Sequence, residues 1–155
     1  MIERLREYHR RTGASHFHSS LSVLPILESI KARMKPMDVC ILSKGHAASA
    51  YYLVFGEMPD EAFWSLGTGL PFALGVAYVL RESTVFVVVG DGEMQEGSCS
   101  EAMLAMKRLG IENVEIHVDG NGMQGMGDCA ASGYPTVFWH PTVKGKDWTC
   151  HYDNA

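Results

Sequence analysis

Residues 85–121, VFVVVGDGEMQEGSCSEAMLAMKRLGIENVEIHVDGN, decide the fold. Val85 to Val89 are all apolar and mostly β-branched, the composition of a strand buried on both faces at the centre of a parallel sheet. The run leads into Gly90-Asp91-Gly92. Ser98 to Glu101 has the capping-box pattern, and Ala102, Leu104, Ala105, Met106 and Leu109 continue a helix that Gly110 closes. Val114 to Val118 is a second strand, ending in Asp119-Gly120-Asn121. Strand, helix and strand with such short joints form a βαβ unit, whose strands are parallel and whose crossover is right-handed.

Working outward, Glu3 to Arg11 reads as a charged helix stopped by Gly13, and about Ser22 to Met34 as a second helix with Pro25 in its first turn. Val39 to Leu42 is a short strand, followed by a small-residue helix from about His46 to Phe55. Gly69 to Arg81 predicts a buried helix in which Ala73, Gly75 and Ala77 allow close backbone approach. Thr136 to Trp139 is a last strand. The expected architecture is α/β: an open, mainly parallel sheet with helices on both faces, in a single domain spanning residues 1–155.

Composition narrows the function. With 18 acidic and 13 basic residues, the net charge of -5 argues against nucleic acid, whose binding rests on clustered Lys and Arg. No apolar run has the length needed to cross a bilayer, and the charged amino end is no signal core, so a cytoplasmic location is expected. Cys40, Cys99, Cys129 and Cys150 form no C-x-x-C pair and read as reduced thiols rather than zinc or redox sites.

Ligands of an open parallel sheet bind at the carboxyl ends of its strands, where this sequence places Asp91 and Asn121 between glycines. One carboxylate and one amide carbonyl are too few to cage a metal, but suit magnesium that takes its other ligands from water and a diphosphate. Flanking glycines let main-chain N–H groups approach those phosphates. On spacing alone, two ordinary glycine turns with polar tips are the favoured reading, since strand ends often look like this. Gly120 to Gly125 also matches G-x-G-x-x-G, but Gly127, Gly133 and Pro135 follow with no helical period, so the helix that a dinucleotide requires is missing.

Taken together, GDGEMQEGSCSEAMLAMKRLGIENVEIHVDGNGMQG, ASHFHSSLS, LSKGH, SLGTGLPFALGVAY and TVKGK followed by His151 resemble the transketolase family, over its amino-terminal, diphosphate-binding portion. The resemblance implies thiamine diphosphate and Mg2+ as cofactors. It implies Asp91, Asn121 and the main-chain carbonyl of Met123 as metal ligands. Gly90, Asp91, Gly92, Glu93 and Asn121 would line the diphosphate, with Leu66, Gly67 and Gly69 against the aminopyrimidine. His46 would face diphosphate and substrate, and His16 the substrate hydroxyls. Glu96 corresponds to an interface glutamate linked to the one that activates the pyrimidine ring, so Glu96, His46 and His16 are the catalytic candidates. His18, Trp64 and Thr68 depart from the family pattern.

In that family a second domain, from another protomer, covers the pyrimidine. This chain is therefore expected to be one half of a split enzyme, forming a heterodimer or heterotetramer with a separate pyrimidine-domain subunit. The implied activity is transfer of a two-carbon ketol unit between sugars or sugar phosphates. The alternative is one part of a carboligase or 2-keto acid decarboxylase, or a non-catalytic cofactor-binding module. His9, His117 and His140 match no family motif and read as surface or satisfied core; Tyr51, Tyr52, Trp139 and Trp148 read as packing.

Overall fold

A computed structural model describes residues 1–59, 65–121 and 137–141. Helices α1 (Ile2–Thr12) and α2 (Phe17–Arg33) precede strand β1 (Val39–Leu42). Then come α3 (Ala48–Phe55), α4 (Gly69–Val79), β2 (Val85–Gly90), α5 (Gly97–Leu109), β3 (Val114–Gly120) and β4 (Val137–Pro141). Among the described residues the strands form one four-stranded sheet in the order β1-β2-β3-β4, every pair parallel.

Side-chain alternation along the strands builds two cores. Cys40, Leu42, Phe86 and Val88 point to one face, where Leu5 of α1, Leu24, Leu27 and Ile30 of α2, and Ala50 and Val54 of α3 cover them. Ile41, Val85, Val87, Val89, Ile116 and Val118 point to the other, under Leu70, Ala73 and Ala77 of α4 and Cys99, Ala102 and Met106 of α5. The parallel sheet with helices on both faces agrees with the sequence reading, and β2 is buried along its whole length. No helix among the described residues is long and apolar enough to cross a membrane.

Several local expectations are corrected. Helix α2 begins at Phe17 rather than Ser22, so Pro25 lies inside it and not in its first turn. The early start is held by tertiary contact: Phe17 and Ser20 are buried, and Ser20 Oγ lies 2.8 Å from Ser49 Oγ of α3. Ser98 is no capping residue, because α5 already starts at Gly97, and its hydroxyl donates instead to the Gly67 carbonyl at 2.7 Å. Helix α4 stops at Val79 and is buried on one side only, with Gly75 in open space and Phe72, Tyr78 and Val79 exposed. The sheet-facing Ala73 and Ala77 are fully buried, as close approach requires.

Of the unassigned histidines, His9 and His117 are satisfied core, and His140 is half-buried. His9 sets its ring nitrogens 2.8 Å from the Ala14 carbonyl and 2.8 Å from Ser49 Oγ. His117, on β3, stacks on Phe138 and His140, with Nδ1 3.0 Å from His140 Nε2 and Nε2 3.3 Å from Glu115. Tyr51 stacks on Phe55, and Tyr52 meets Tyr8. Cys40 and Cys99 are free and buried, and burial pushes both thiols up to about 12.

Burial drives the His117 pKa down to about 4, against the pull of Glu115, and lowers those of His9 and His140 as well. Between pH 6.5 and 4 the unfolded chain therefore takes up a proton at His117 that the folded chain refuses. Stability is fully present above that window and falls as the pH drops through it. Urea unfolding at pH 7 and pH 4.5 checks this. His117→Phe is expected to reduce the acid slope, to which His9 and His140 also contribute, and a variant with the wild-type slope refutes the assignment.

Candidate functional site

The site is built at the carboxyl edge of the sheet. Gly90 pairs with Asp119 in the register of β2 and β3, which brings the residues that follow, Asp91 and Asn121, out on neighbouring strand ends. Both are buried, at 4% exposure. Asp91 donates its main-chain N–H to the Asp119 carbonyl at 3.3 Å and accepts the Gly92 N–H on its own carboxylate at 2.9 Å. A Cβ on Gly120 would collide with Trp139 Nε1, so this glycine is required where β4 packs on the strand end. Trp139 is thereby a packing residue. Met123 lies outside the described residues, as do Trp64, Trp148, His151 and the TVKGK stretch.

Beneath the strand ends lies a polar layer that sequence reasoning missed. Asp119, with no exposure, accepts on Oδ2 from Lys44 Nζ at 2.5 Å, Ser22 Oγ at 2.6 Å and Asn121 Nδ2 at 2.9 Å. Lys44 reaches it from the turn after β1, past Gly90, whose absent Cβ would lie 3.5 Å from the lysine methylenes. The lysine of the SKGH motif is therefore committed to an internal carboxylate.

Glu93 ties the surrounding loops together. It is 2% exposed, and its carboxylate accepts from Ser43 Oγ, from the Gly67 N–H at 3.1 Å and from the Gly90 N–H at 3.2 Å. Burial pushes its pKa up, while these donors and the Lys44 charge pull it back. Both of its oxygens face the chain. Gly67 and Gly69 fit the same junction: Gly67 has φ 76°, and a Cβ there would lie 2.6 Å from Glu96 Cβ. A Cβ on Gly69 would collide with the Ser43 side chain. Leu66 between these contacts is 64% exposed, and Glu96 is half-buried at the amino end of α5.

The two histidine candidates come together from different motifs. His16 sits at the N-cap of α2 with φ 61°, a left-handed conformation that residues other than glycine rarely adopt. Its ring centroid is 5.1 Å from that of His46, which lies in a single 3-10 turn, Gly45–Ala47, just beyond β1. Both are half-buried, and His18 lies against Phe17.

The donor chemistry fits a magnesium diphosphate in part. Among the described residues no group of three or more His, Cys, Asp or Glu side chains could hold a metal. Asp91 and Asn121 offer hard oxygen donors, so a cation there needs phosphate or water oxygens to complete its shell.

Residues 46–144 match the family model described as thiamine pyrophosphate enzyme, C-terminal TPP binding domain. The chain is 32% identical over 168 aligned positions to "Ferredoxin fas2" of Rhodococcoides fascians, covering 82% of this chain and 55% of that protein. It is 29% identical over 157 positions to one subunit of the apulose-4-phosphate transketolase of Actinobacillus succinogenes, covering 72% and 56%. Human transketolase is 32% identical over 117 positions, covering 54% of this chain and 19% of the enzyme. The chain thus spans about half the length of the first two relatives. The matching family model is of a C-terminal domain, whereas the motifs resemble the amino-terminal portion of a transketolase.

Proposed function

Because the chain belongs to the thiamine pyrophosphate enzyme family through its TPP-binding domain, we propose that it is the diphosphate-binding half of a two-part, magnesium-dependent, cytoplasmic transketolase-like enzyme. Its reaction is transfer of a two-carbon ketol unit between sugars or sugar phosphates. The observation that carries this reading is the emergence of Asp91 and Asn121 side by side from paired strands, inside the segment that matches the family.

The Asp91 carboxylate and the Asn121 carbonyl would hold Mg2+, with the main-chain carbonyl of Met123 as the further ligand of the motif. Gly92 would leave room at the strand end for phosphate oxygens, while Gly90 gives its N–H to Glu93 and passage to the Lys44 side chain. Thiamine diphosphate, when bound, supplies the covalent carrier for the two-carbon unit. Leu66 presents an exposed apolar side chain to the aminopyrimidine, on a loop that Glu93 fixes through Gly67. His16 and His46, with ring centroids 5.1 Å apart, would donate to or accept from substrate hydroxyls, and His46 would donate to the phosphate. Glu96 faces the partner's pyrimidine domain from the start of α5.

The requirement for a partner is supported by relatives named as subunits of transketolases. The outer faces of α4 and α5 also leave Phe72, Val79 and Leu104 exposed, the kind of apolar surface that a second chain covers.

The test is co-expression with a separately encoded pyrimidine-domain chain, followed by assays with a ketose, a ketose phosphate and a 2-keto acid in the presence of thiamine diphosphate and Mg2+. Ketol transfer by the pair and none by this chain alone is the expected result. Full ketol transfer by this chain alone overturns the split arrangement. Release of carbon dioxide from the 2-keto acid without ketol transfer replaces the transferase by a decarboxylase or carboligase.

A further inference from the structure

Two opposite charges lie sealed under the candidate cation site: Lys44 is 7% exposed and Asp119 not at all. Taking both out of water is strongly unfavourable, and an apolar pair of the same volume would serve the fold as well or better. What the carboxylate adds is direction. A carboxylate can only accept hydrogen bonds, so the Asn121 amide must turn its nitrogen toward Asp119, and does so at 2.9 Å. The amide carbonyl, on the other branch of the same planar group, is thereby turned away from Asp119. Ser22 reinforces the choice, since Asn121 Nδ2 is 3.4 Å from its oxygen while the hydroxyl lies 2.6 Å from Asp119.

We propose that Asp119, with Lys44 as counter-ion and Ser22 as support, is a positioning residue that locks the Asn121 amide with its oxygen turned to ligate the cation. The inference rests on the reading of Asn121 as a cation ligand. It gives the SKGH lysine a defined task, which is to let an anion stay buried next to a ligand without competing for the metal. Partners that orient a metal ligand typically matter by about 10- to 100-fold in metal affinity.

The experiment uses the full chain with thiamine diphosphate, Mn2+ as the paramagnetic stand-in for Mg2+, and two charge-neutral double variants. Asp119→Leu with Lys44→Met removes the acceptor; Asp119→Asn with Lys44→Met keeps an acceptor oxygen at the same place. The first is expected to weaken Mn2+ binding by about 10-fold or more, and the second by less than about 3-fold. In the metal-free chain, the Asn121 side-chain amide resonances should shift in the first pair and hold their positions in the second. Ser22→Ala, which changes no charge, gives the same readouts if the leucine variant fails to fold, with a smaller loss of affinity and a shifted Asn121 resonance expected. Equal loss in both double variants, or an Asn121 resonance indifferent to the acceptor, overturns the proposal. A wild-type chain whose Asn121 resonance responds to Asp119 but which takes up no Mn2+ with thiamine diphosphate overturns instead the cation reading, and the assignment with it.

Discussion

A chain carrying Asp91→Ala is expected to bind thiamine diphosphate no more tightly with magnesium than without it, a loss of about 100-fold in magnesium-dependent affinity. The size follows from removing the anionic ligand of a doubly charged ion in a buried setting, worth roughly 3 kcal/mol, which is about two decades in a dissociation constant. The fold should survive. Within the chain the carboxylate accepts the Gly92 N–H of the adjoining residue at 2.9 Å, and the strand pairing uses the Asp91 main chain instead. Asp91→Asn keeps that acceptor and removes the charge, so it should melt like the wild type while losing most of the affinity. Calorimetric titration of the cofactor with and without magnesium measures both variants. Magnesium-dependent binding that persists in the alanine variant would falsify the ligand assignment.

Glu93→Ala should have the largest effect on stability. It leaves the Ser43 hydroxyl and the Gly67 and Gly90 N–H groups buried without their acceptor. At about 1 to 3 kcal/mol for each orphaned donor, the expected loss is roughly 4 kcal/mol, or a melting temperature lowered by about 10 °C. Glu93→Gln is nearly isosteric yet should cost a good part of the same amount, because one of its two branches is a donor facing donors. A thermal melt decides the point: if both variants melt within about 2 °C of the wild type, the carboxylate does not hold these loops together.

The Asp91 and Glu93 cases differ in how far they can be read from the chain alone. Strands β2 and β3 are legible because an uninterrupted β-branched run and glycine-flanked ends are local signals, and from them the meeting of Asp91 and Asn121 follows. The amino end of α2 is not. Ser19, Ser20 and Ser22 are poor helix formers on propensity, and their burial, with Ser20 against α3 and Ser22 against Asp119, is a tertiary effect. Ser98 carries a capping pattern but is drawn off by the Gly67 carbonyl, 31 positions away. The Ser22–Asp119 and Lys44–Asp119 contacts span 97 and 75 positions, which no spacing argument reaches. Glu93 stands in the motif that groups it with cofactor contacts, but the direction of its carboxylate depends on two loops from elsewhere in the chain. The pairing of His16 with His46 has no local signal, since nothing in the sequence marks a left-handed histidine; family resemblance alone points both residues at one substrate.

The strand order β1-β2-β3-β4 follows the order of the chain, so the sheet can grow on one edge as the polypeptide leaves the ribosome. The ladder of β1 and β2 can close before β3 has been synthesised, but Asp91 has no Asn121 beside it until β3 docks. On the proposed reading of Asp91 and Asn121 as cation ligands, a nascent chain that ends before β3 lacks half of the site. Cation capture during synthesis would report one step of assembly, the arrival of the third strand.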